Sequence, residues 1–299
     1  MTPERRGGPH APADKMIARL TPLRIDHLPD AVSQSCALGW PYREDDWRFA
    51  FDLGSGFAVE VDGRLVGTAM WWPYGQTHAS VGMIIVDPAM RGRGLGRALT
   101  QKLLHEARER TVLLNATQEG LPLYAQLGFV ARAHVFQHQS VLPAQAFPAT
   151  TPSSIRAMHA ADDQRLRQLD LAATGMERTA LLDALFAAGT TMVAERRAGV
   201  SAYACLREFG HGVVIGPVVA SGEDAAVDAM ALIAALALRA RGRFVRIDTT
   251  EDSGLSTWLS DMGLPCVGHA VPMVRNPRAR PIGADANTRL FALANQSFG

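Results

Sequence analysis

Three arginines and three glycines crowd into seven consecutive residues, Arg91-Gly92-Arg93-Gly94-Leu95-Gly96-Arg97. The mostly apolar run Ser80–Val86 precedes them, then Asp87-Pro88. Behind them Leu95, Leu99, Leu103 and Ala107 recur at helical spacing. Backbone N–H groups of such a turn converge on an anion, and the following helix adds the positive end of its dipole. Glycine at 94 and 96 removes Cβ atoms that would keep a ligand away from the backbone. With guanidinium groups alongside, the fitting anion is a pyrophosphate. Two common phosphate loops are not matched. Gly92, Gly94 and Gly96 are spaced by two, unlike Gly-x-Gly-x-x-Gly, and no Gly-Lys-Ser/Thr follows. Arginine–glycine repeats also occur in disordered RNA-binding segments, an alternative that the loop alone leaves open.

The loop needs a frame. Phe57–Val61 and Leu65–Trp72 alternate around Asp62-Gly63, which predicts a hairpin. Ser80–Val86 reads as a buried strand, Leu95–Ala107 as a helix and Thr111–Asn115 as a short strand. Leu121–Leu127 reads as a short helix with Pro122 in its first turn, and Phe129 opens a strand that runs to Val141 without a turn signal. The order then recurs as Met192–Glu195, Ser201–Glu208, Val213–Ala220, helix Ala225–Ala240, strand Phe244–Asp248, helix Leu255–Met262 and a strand from Cys266. Sequence echoes go with it: Ala58-Val59-Glu60 with Val193-Ala194-Glu195, Tyr74-Gly75 with Phe209-Gly210, and Leu127-Gly128-Phe129 with Met262-Gly263-Leu264. All three lie 135 positions apart. A constant offset predicts two copies of one α/β fold, each a mixed central sheet flanked by helices.

Four segments follow. Residues 1–15 carry Arg5 and Arg6 but no apolar core of a signal peptide, and are expected to be a disordered leader. The first copy spans 16–141. A linker rich in Pro, Ala, Thr and Ser occupies 142–154, and the second copy spans 155–299. The chain of 299 residues is 47% hydrophobic, enough for two cores. Its net charge of +1 offers nothing to nucleic acid or a membrane surface through bulk electrostatics. No run of 18 apolar residues predicts a membrane span. Cys36, Cys205 and Cys266 are too scattered for a disulfide framework or a zinc site, so a reducing cytoplasm is expected, with no metal.

The first copy resembles the GNAT superfamily of acyl-CoA-dependent N-acyltransferases. Val86, Pro88, Arg91, Gly94 and Gly96 fit its (Arg/Gln)-x-x-Gly-x-(Gly/Ala) signature. Asn115, Tyr124, Leu127, Gly128 and Phe129 fit a second, Asn before Tyr-x-x-Leu-Gly-Phe. The second copy is similar to the degenerate half of tandem, YitH-like GNAT proteins, through Asp170, Gly175, Arg178, Ile215-Gly216-Pro217 and the end Phe291–Gly299.

The resemblance implies that Ile84, Ile85 and Val86 pair with the pantetheine arm of acetyl-CoA or another acyl-CoA. Arg91, Gly92, Arg93, Gly94, Leu95, Gly96 and Arg97 would hold the pyrophosphate. A backbone amide of the Ser80–Val86 strand would steady the thioester oxyanion. Tyr124 would protonate the leaving thiolate, and Asn115 would bond the pantetheine or a water. Trp40 and Tyr42, after the first helix, would border the acceptor, a small-molecule amine. Trp71 and Trp72 face opposite sides of one strand, and Trp71 is the candidate for the cleft. No residue stands out as general base: Glu60, His78, His134 and His138 are weak candidates, and a water chain would serve. In the second copy Glu223-Asp224 replaces the arginine–glycine loop and Leu259 stands at the place of Tyr124, so that copy would supply architecture and substrate recognition. Two alternatives stay open, a CoA-binding sensor without turnover and an acetyltransferase of protein lysines or N-termini. Acyl chain length and oligomeric state stay open too.

Overall fold

A computed structural model describes residues 18–143, 147, 152, 154–277 and 287–299. The first half runs β1 (Arg19–Pro22), α1 (Leu28–Ala37), α2 (Glu44–Leu53), β2 (Ser55–Val61), β3 (Arg64–Tyr74) and β4 (His78–Val86). It continues with α3 (Leu95–Ala107), β5 (Thr111–Ala116), α4 (Leu121–Gln126), β6 (Val130–Ala131) and β7 (Val135–Val141). The second half repeats the order: β8 (Ile155–Ala157), α5 (Asp163–Thr174), α6 (Thr179–Ala188), β9 (Gly189–Arg196), β10 (Gly199–Phe209) and β11 (Gly212–Ser221). Then come α7 (Ala225–Arg239), β12 (Phe244–Thr250), α8 (Ser256–Asp261), β13 (Cys266–Arg275) and β14 (Thr288–Ala292). The expected leader lies outside the described residues, as does most of the expected linker. Leu142 and Phe147 of that linker are buried in the core of the second half.

The repeat holds at the level of single dihedrals. Gly75 and Gly210, which end the paired hairpins, have φ of +56° and +55°, and Gly128 and Gly263 have +84° and +85°. These are left-handed turns that favour glycine. The β2–β3 turn places Asp62 and Gly63 both at positive φ, the geometry of a two-residue hairpin.

Among the described residues the strands form one sheet in the order β1-β2-β3-β4-β5-β13-β7-β12-β14-β11-β10-β9-β8. The halves have exchanged strands. β13 of the second half pairs antiparallel with β5 of the first, Val271–Arg275 against Ala116–Val112. β7 of the first half pairs with β12 of the second over its whole length. The two exchanged strands meet each other along Cys266–Ala270 and His138–Val135. The long strand expected after Phe129 is real but broken at 132–134. Pro272 has no N–H for the ladder, and only its carbonyl is taken, by the Arg132 amide at 2.8 Å.

Three apolar clusters fill the layers. α3 packs Leu99, Leu103 and Ala107 onto one face of the first half, and α7 covers the same face of the second. The third cluster belongs to both halves: Trp47, Trp72 and Tyr74 pack with Leu166, Leu185, Tyr203 and Phe298. Reciprocal contacts seal it. Room for a Cβ at Gly75 is taken by Glu177, and at Gly210 by Pro41, positions related by the repeat.

A chain ended after Pro143 therefore leaves β5 with a bare edge and β7 with no neighbour. It should aggregate or stay unfolded, as read by size-exclusion chromatography and circular dichroism. A soluble, fully active monomer of that length would contradict the exchange.

Candidate active site

In the first half β4 and β5 run parallel but stay paired only over His78–Ser80 and Thr111–Leu113. Beyond Ser80 they part, and backbone groups of β4 turn toward the gap. The β3–β4 register also slips between Thr68 and Met70. At that bulge Met83 takes φ of +50°, and the Thr68 hydroxyl donates to its carbonyl at 2.9 Å. A methionine held in this strained region, at a cost of order 1–3 kcal/mol, re-aims the backbone of β4 where the strands separate. Nothing in the sequence signals Met83.

The gap opens into a cleft of about 1040 Å³. Ile84, Ile85, Val86, Arg91, Gly92, Gly94, Leu95, Gly96, Arg97, Trp40 and Tyr124 border it. Gly92 and Gly94 have φ of +76° and +79°, and Gly94 caps α3. Glycine is needed there for its dihedral freedom, because a Cβ at either position would meet no atom within 4 Å. Arg91 lies 3.6 Å from Glu119, and Arg97 is hydrogen-bonded to Gln126. Arg93 points to solvent and does not border the cleft.

A smaller pocket of about 170 Å³ adjoins, and Tyr124 and Trp40 border both. Its walls include Tyr42, Met83, Asn115 and Gln137 from the first half and Arg246, Gln296 and Ser297 from the second. Tyr124 sits on α4 with its ring against Gly120 and edge-on to Phe129. Burial pushes its hydroxyl up to about 12, so it stays a phenol at neutral pH. The Asn115 amide donates to the Gln296 carbonyl at 2.7 Å, leaving its buried Oδ1 without a partner. Tyr42 meets the Ser297 hydroxyl at 3.1 Å.

Other candidates lie elsewhere. Trp72 turns into the shared core and donates to the Ala50 carbonyl at 2.8 Å. Trp71 therefore faces α3, under the Arg110 guanidinium, and borders neither cavity. Glu60 is tied to His27 at 2.8 Å and to Arg24, contacts that lower its affinity for a proton. His78 is buried at the far end of β4, 2.9 Å from the Thr77 hydroxyl. His134 pairs with Glu251. His138 is fully buried with Nδ1 2.8 Å from the Leu264 carbonyl, and desolvation lowers its affinity for a proton. Its partner is the Leu264 carbonyl, whereas that of His134 is Glu251, so the two form no common site. None of the four borders either cavity.

The second half shows why the same fold need not bind the same ligand. β11 and β12 pair in parallel only at Val213–Val214 and Val245–Arg246, and then part as β4 and β5 do. Here β14 enters the gap. Val219, Ala220 and Ser221, which the repeat relates to Ile84, Ile85 and Val86, pair with Leu290, Arg289 and Thr288. Asp224 is bound by Arg196 at 3.2 Å, and Leu259 is core. From β14 the chain continues across to the first half. Ser80 donates to the Ser297 carbonyl at 2.5 Å, Tyr74 to that of Phe298 at 2.6 Å, and Arg178 to that of Gly299 at 2.5 Å. Arg178 is itself held by Asp170 in a fully buried ion pair, and a Cβ at Gly216 would overlap the Leu293 carbonyl. Asp170, Arg178 and Gly216, three residues of that resemblance, thus seat this segment.

A parting pair of parallel strands with a glycine-rich loop at a helix start defines the class, a GNAT-type acyltransferase fold used twice. Residues 25–129 match the Acetyltransferase (GNAT) family and residues 166–292 match an Acetyltransferase (GNAT) domain. The chain belongs to the GNAT superfamily of acyltransferases. It is 27% identical over 290 residues to the uncharacterized N-acetyltransferase YitH of Bacillus subtilis, covering 95% of this chain and 99% of that one. It is 33% identical over 130 residues to N-alpha-acetyltransferase RimI of Mycobacterium tuberculosis, covering 38% of this chain and 82% of that one. A tandem GNAT protein from the clavulanic acid biosynthesis pathway shares the fold at a TM-score of 0.60 and 15% identity, covering 88% of this chain and 100% of that one.

One acyl-CoA per chain is the expected stoichiometry, since β14 fills the second gap. Calorimetry with acetyl-CoA should give one site, and acetyl-CoA at about 100 times its Kd should add about 2.7 kcal/mol to unfolding stability. Gly94→Asp, which adds a side chain at positive φ and a negative charge, should abolish both effects. Two equivalent sites would overturn the assignment.

Proposed function

We propose that the protein transfers an acyl group, acetyl in the simplest case, from CoA to the amine of a small-molecule acceptor by direct attack in a ternary complex. The observation that carries this is the position of Tyr124, on the wall shared by the large cleft and the small pocket. Acyl-CoA would lie along β4 in the cleft, its pyrophosphate on the amides of 92–97. The acceptor would enter the pocket between the halves, whose size favours a small molecule over a protein lysine.

The amine nitrogen attacks the thioester carbonyl carbon, and the oxyanion formed is met by a β4 amide near the bulge. The C–S bond then breaks. Tyr124 gives its proton to the departing sulfur and recovers one from the ammonium nitrogen created by the attack, so charge balances. A phenol near 12 is a weak acid, suited to a proton passed along as it is replaced. No carboxylate or imidazole borders the pocket among the described residues, so the acceptor enters as free amine, its proton lost to water. The second half, YitH-like in this reading, supplies pocket wall and no catalytic group.

Tyr124→Phe keeps the ring and its packing. Single-turnover acyl transfer should fall about 10²–10⁴-fold while CoA affinity stays nearly unchanged. An unchanged single-turnover rate would reduce Tyr124 to a packing residue.

The pH profile gives a second check. With free amine as nucleophile and no enzymic base, kcat/KM should rise about tenfold per pH unit up to the amine's own pKa. Because burial raises Tyr124, its deprotonation should impose no alkaline decline below about pH 11. A plateau setting in near pH 6–7 would reveal a base that this reading lacks.

A further inference from the structure

Arg246 lies on β12 of the second half and reaches the small pocket of the first. Its exposure is only 7%. Nε and Nη2 are spent on Asp248 at 3.0–3.1 Å, and Asp248, fully buried, also accepts from Gln296 at 3.1 Å. A carboxylate that grips one edge of a guanidinium fixes its plane and aims the remaining edge. That remaining nitrogen, Nη1, makes no hydrogen bond among the described residues. A guanidinium does not shed its proton, so these N–H groups call for an acceptor from whatever fills the pocket.

Charge around the pocket agrees. Arg246 is the one charged side chain on its wall among the described residues. Arg207 and Arg246 both lie over the Phe209 ring, 5.1 and 5.6 Å from its centroid. Arg207 is 3.8 Å from Asp46, which already holds Arg43 at 3.1 Å. Asp45 also acts on Arg43, so the outer arginines are matched by carboxylates and the charge that faces the pocket is that of Arg246. The exposed pair Arg243–Glu208 adds no net charge.

We infer that the acceptor amine carries an anionic oxygen group, a carboxylate or a phosphate, and that Arg246 reads it. The inference deepens the acyltransferase reading and rests on the same pocket. It divides the work between the halves. The first supplies the acyl-CoA cleft and Tyr124, and the second selects the acceptor by charge.

Binding and turnover separate the two claims. Binding to the CoA-saturated protein is measured by calorimetry for two matched pairs, β-alanine against propylamine and O-phosphoethanolamine against ethanolamine. At least one acid-bearing member should bind tenfold or more tighter than its partner without the acid group, and which one tells carboxylate from phosphate. Arg246→Gln combined with Asp248→Asn keeps amide-to-amide bonding and removes both charges. This double variant should fold, bind CoA and bind the amines that lack an acid group as before, while the preference disappears. Arg246→Lys, which keeps the charge and loses the fork, should retain part of it. Equal binding within both pairs, no binding by either acid, or a preference that survives the double variant would overturn the inference. Thiol release from acetyl-CoA with the same four amines tests the acyltransferase reading by itself. Its absence throughout, beside a preference that Arg246 controls, would sink that reading and leave the anion site standing.

Discussion

A strand inside a sheet must satisfy backbone N–H and C=O groups on both edges, and in this chain neither half can do so alone. β5 takes β4 on one side and needs β13 on the other. β12 needs β7, and β7 needs both β12 and β13. The exchange answers these demands at once and makes one continuous sheet from two copies. Everything else inherits its position from that pairing. The shared core of Trp47, Trp72, Tyr203 and Phe298 exists because the sheet holds the two helical faces together. The small pocket exists because the exchange brings β12 beside the open end of β4.

The two gaps in the sheet have opposite fates under the same geometry. In each half parallel strands separate after a short paired stretch, which exposes backbone that must be met by something. In the second half a peptide strand from the same chain meets it. In the first the gap stays open to a cleft, and a strained Met83 with a supporting Thr68 hydroxyl shapes its rim. The copies therefore differ in structure first by whether the chain fills its own slot.

Much of this is legible in the residues. The loop at 91–97, the hairpin at Asp62-Gly63, the amphipathic helix after Leu95 and the 135-residue offset are local patterns, and local patterns follow from short-range sterics and burial. The long run after Phe129 and the strand from Cys266 are legible too, though not the break between β6 and β7. What stays hidden depends on partners far away in sequence. β14 is a short segment whose only reason to be a strand is the gap it enters. Arg246 reads as one polar residue in an alternating strand until Asp248 and the pocket are seen around it. Trp71 falls outside the cleft that sequence reading assigns it, because strand alternation says that two neighbours face opposite sides but not which side holds the cleft. Met83 carries no signal because methionine has no preference for positive φ. His134 falls in the break before β7, opposite Pro272 on another strand, while His138 lies within β7.

The course of residues 288–299 has a consequence for how such a protein can change. One stretch of chain stoppers the second copy and then, a few residues on, walls the pocket of the first through Gln296 and Ser297. A substitution that loosens the stopper also moves the wall. The copy with the filled gap is thus tethered to the copy with the open one, and neither is free to drift, shrink or be lost by itself. Duplication here ended in two halves that deletion cannot separate, because one stretch of the second half keeps hold of the first half's pocket wall.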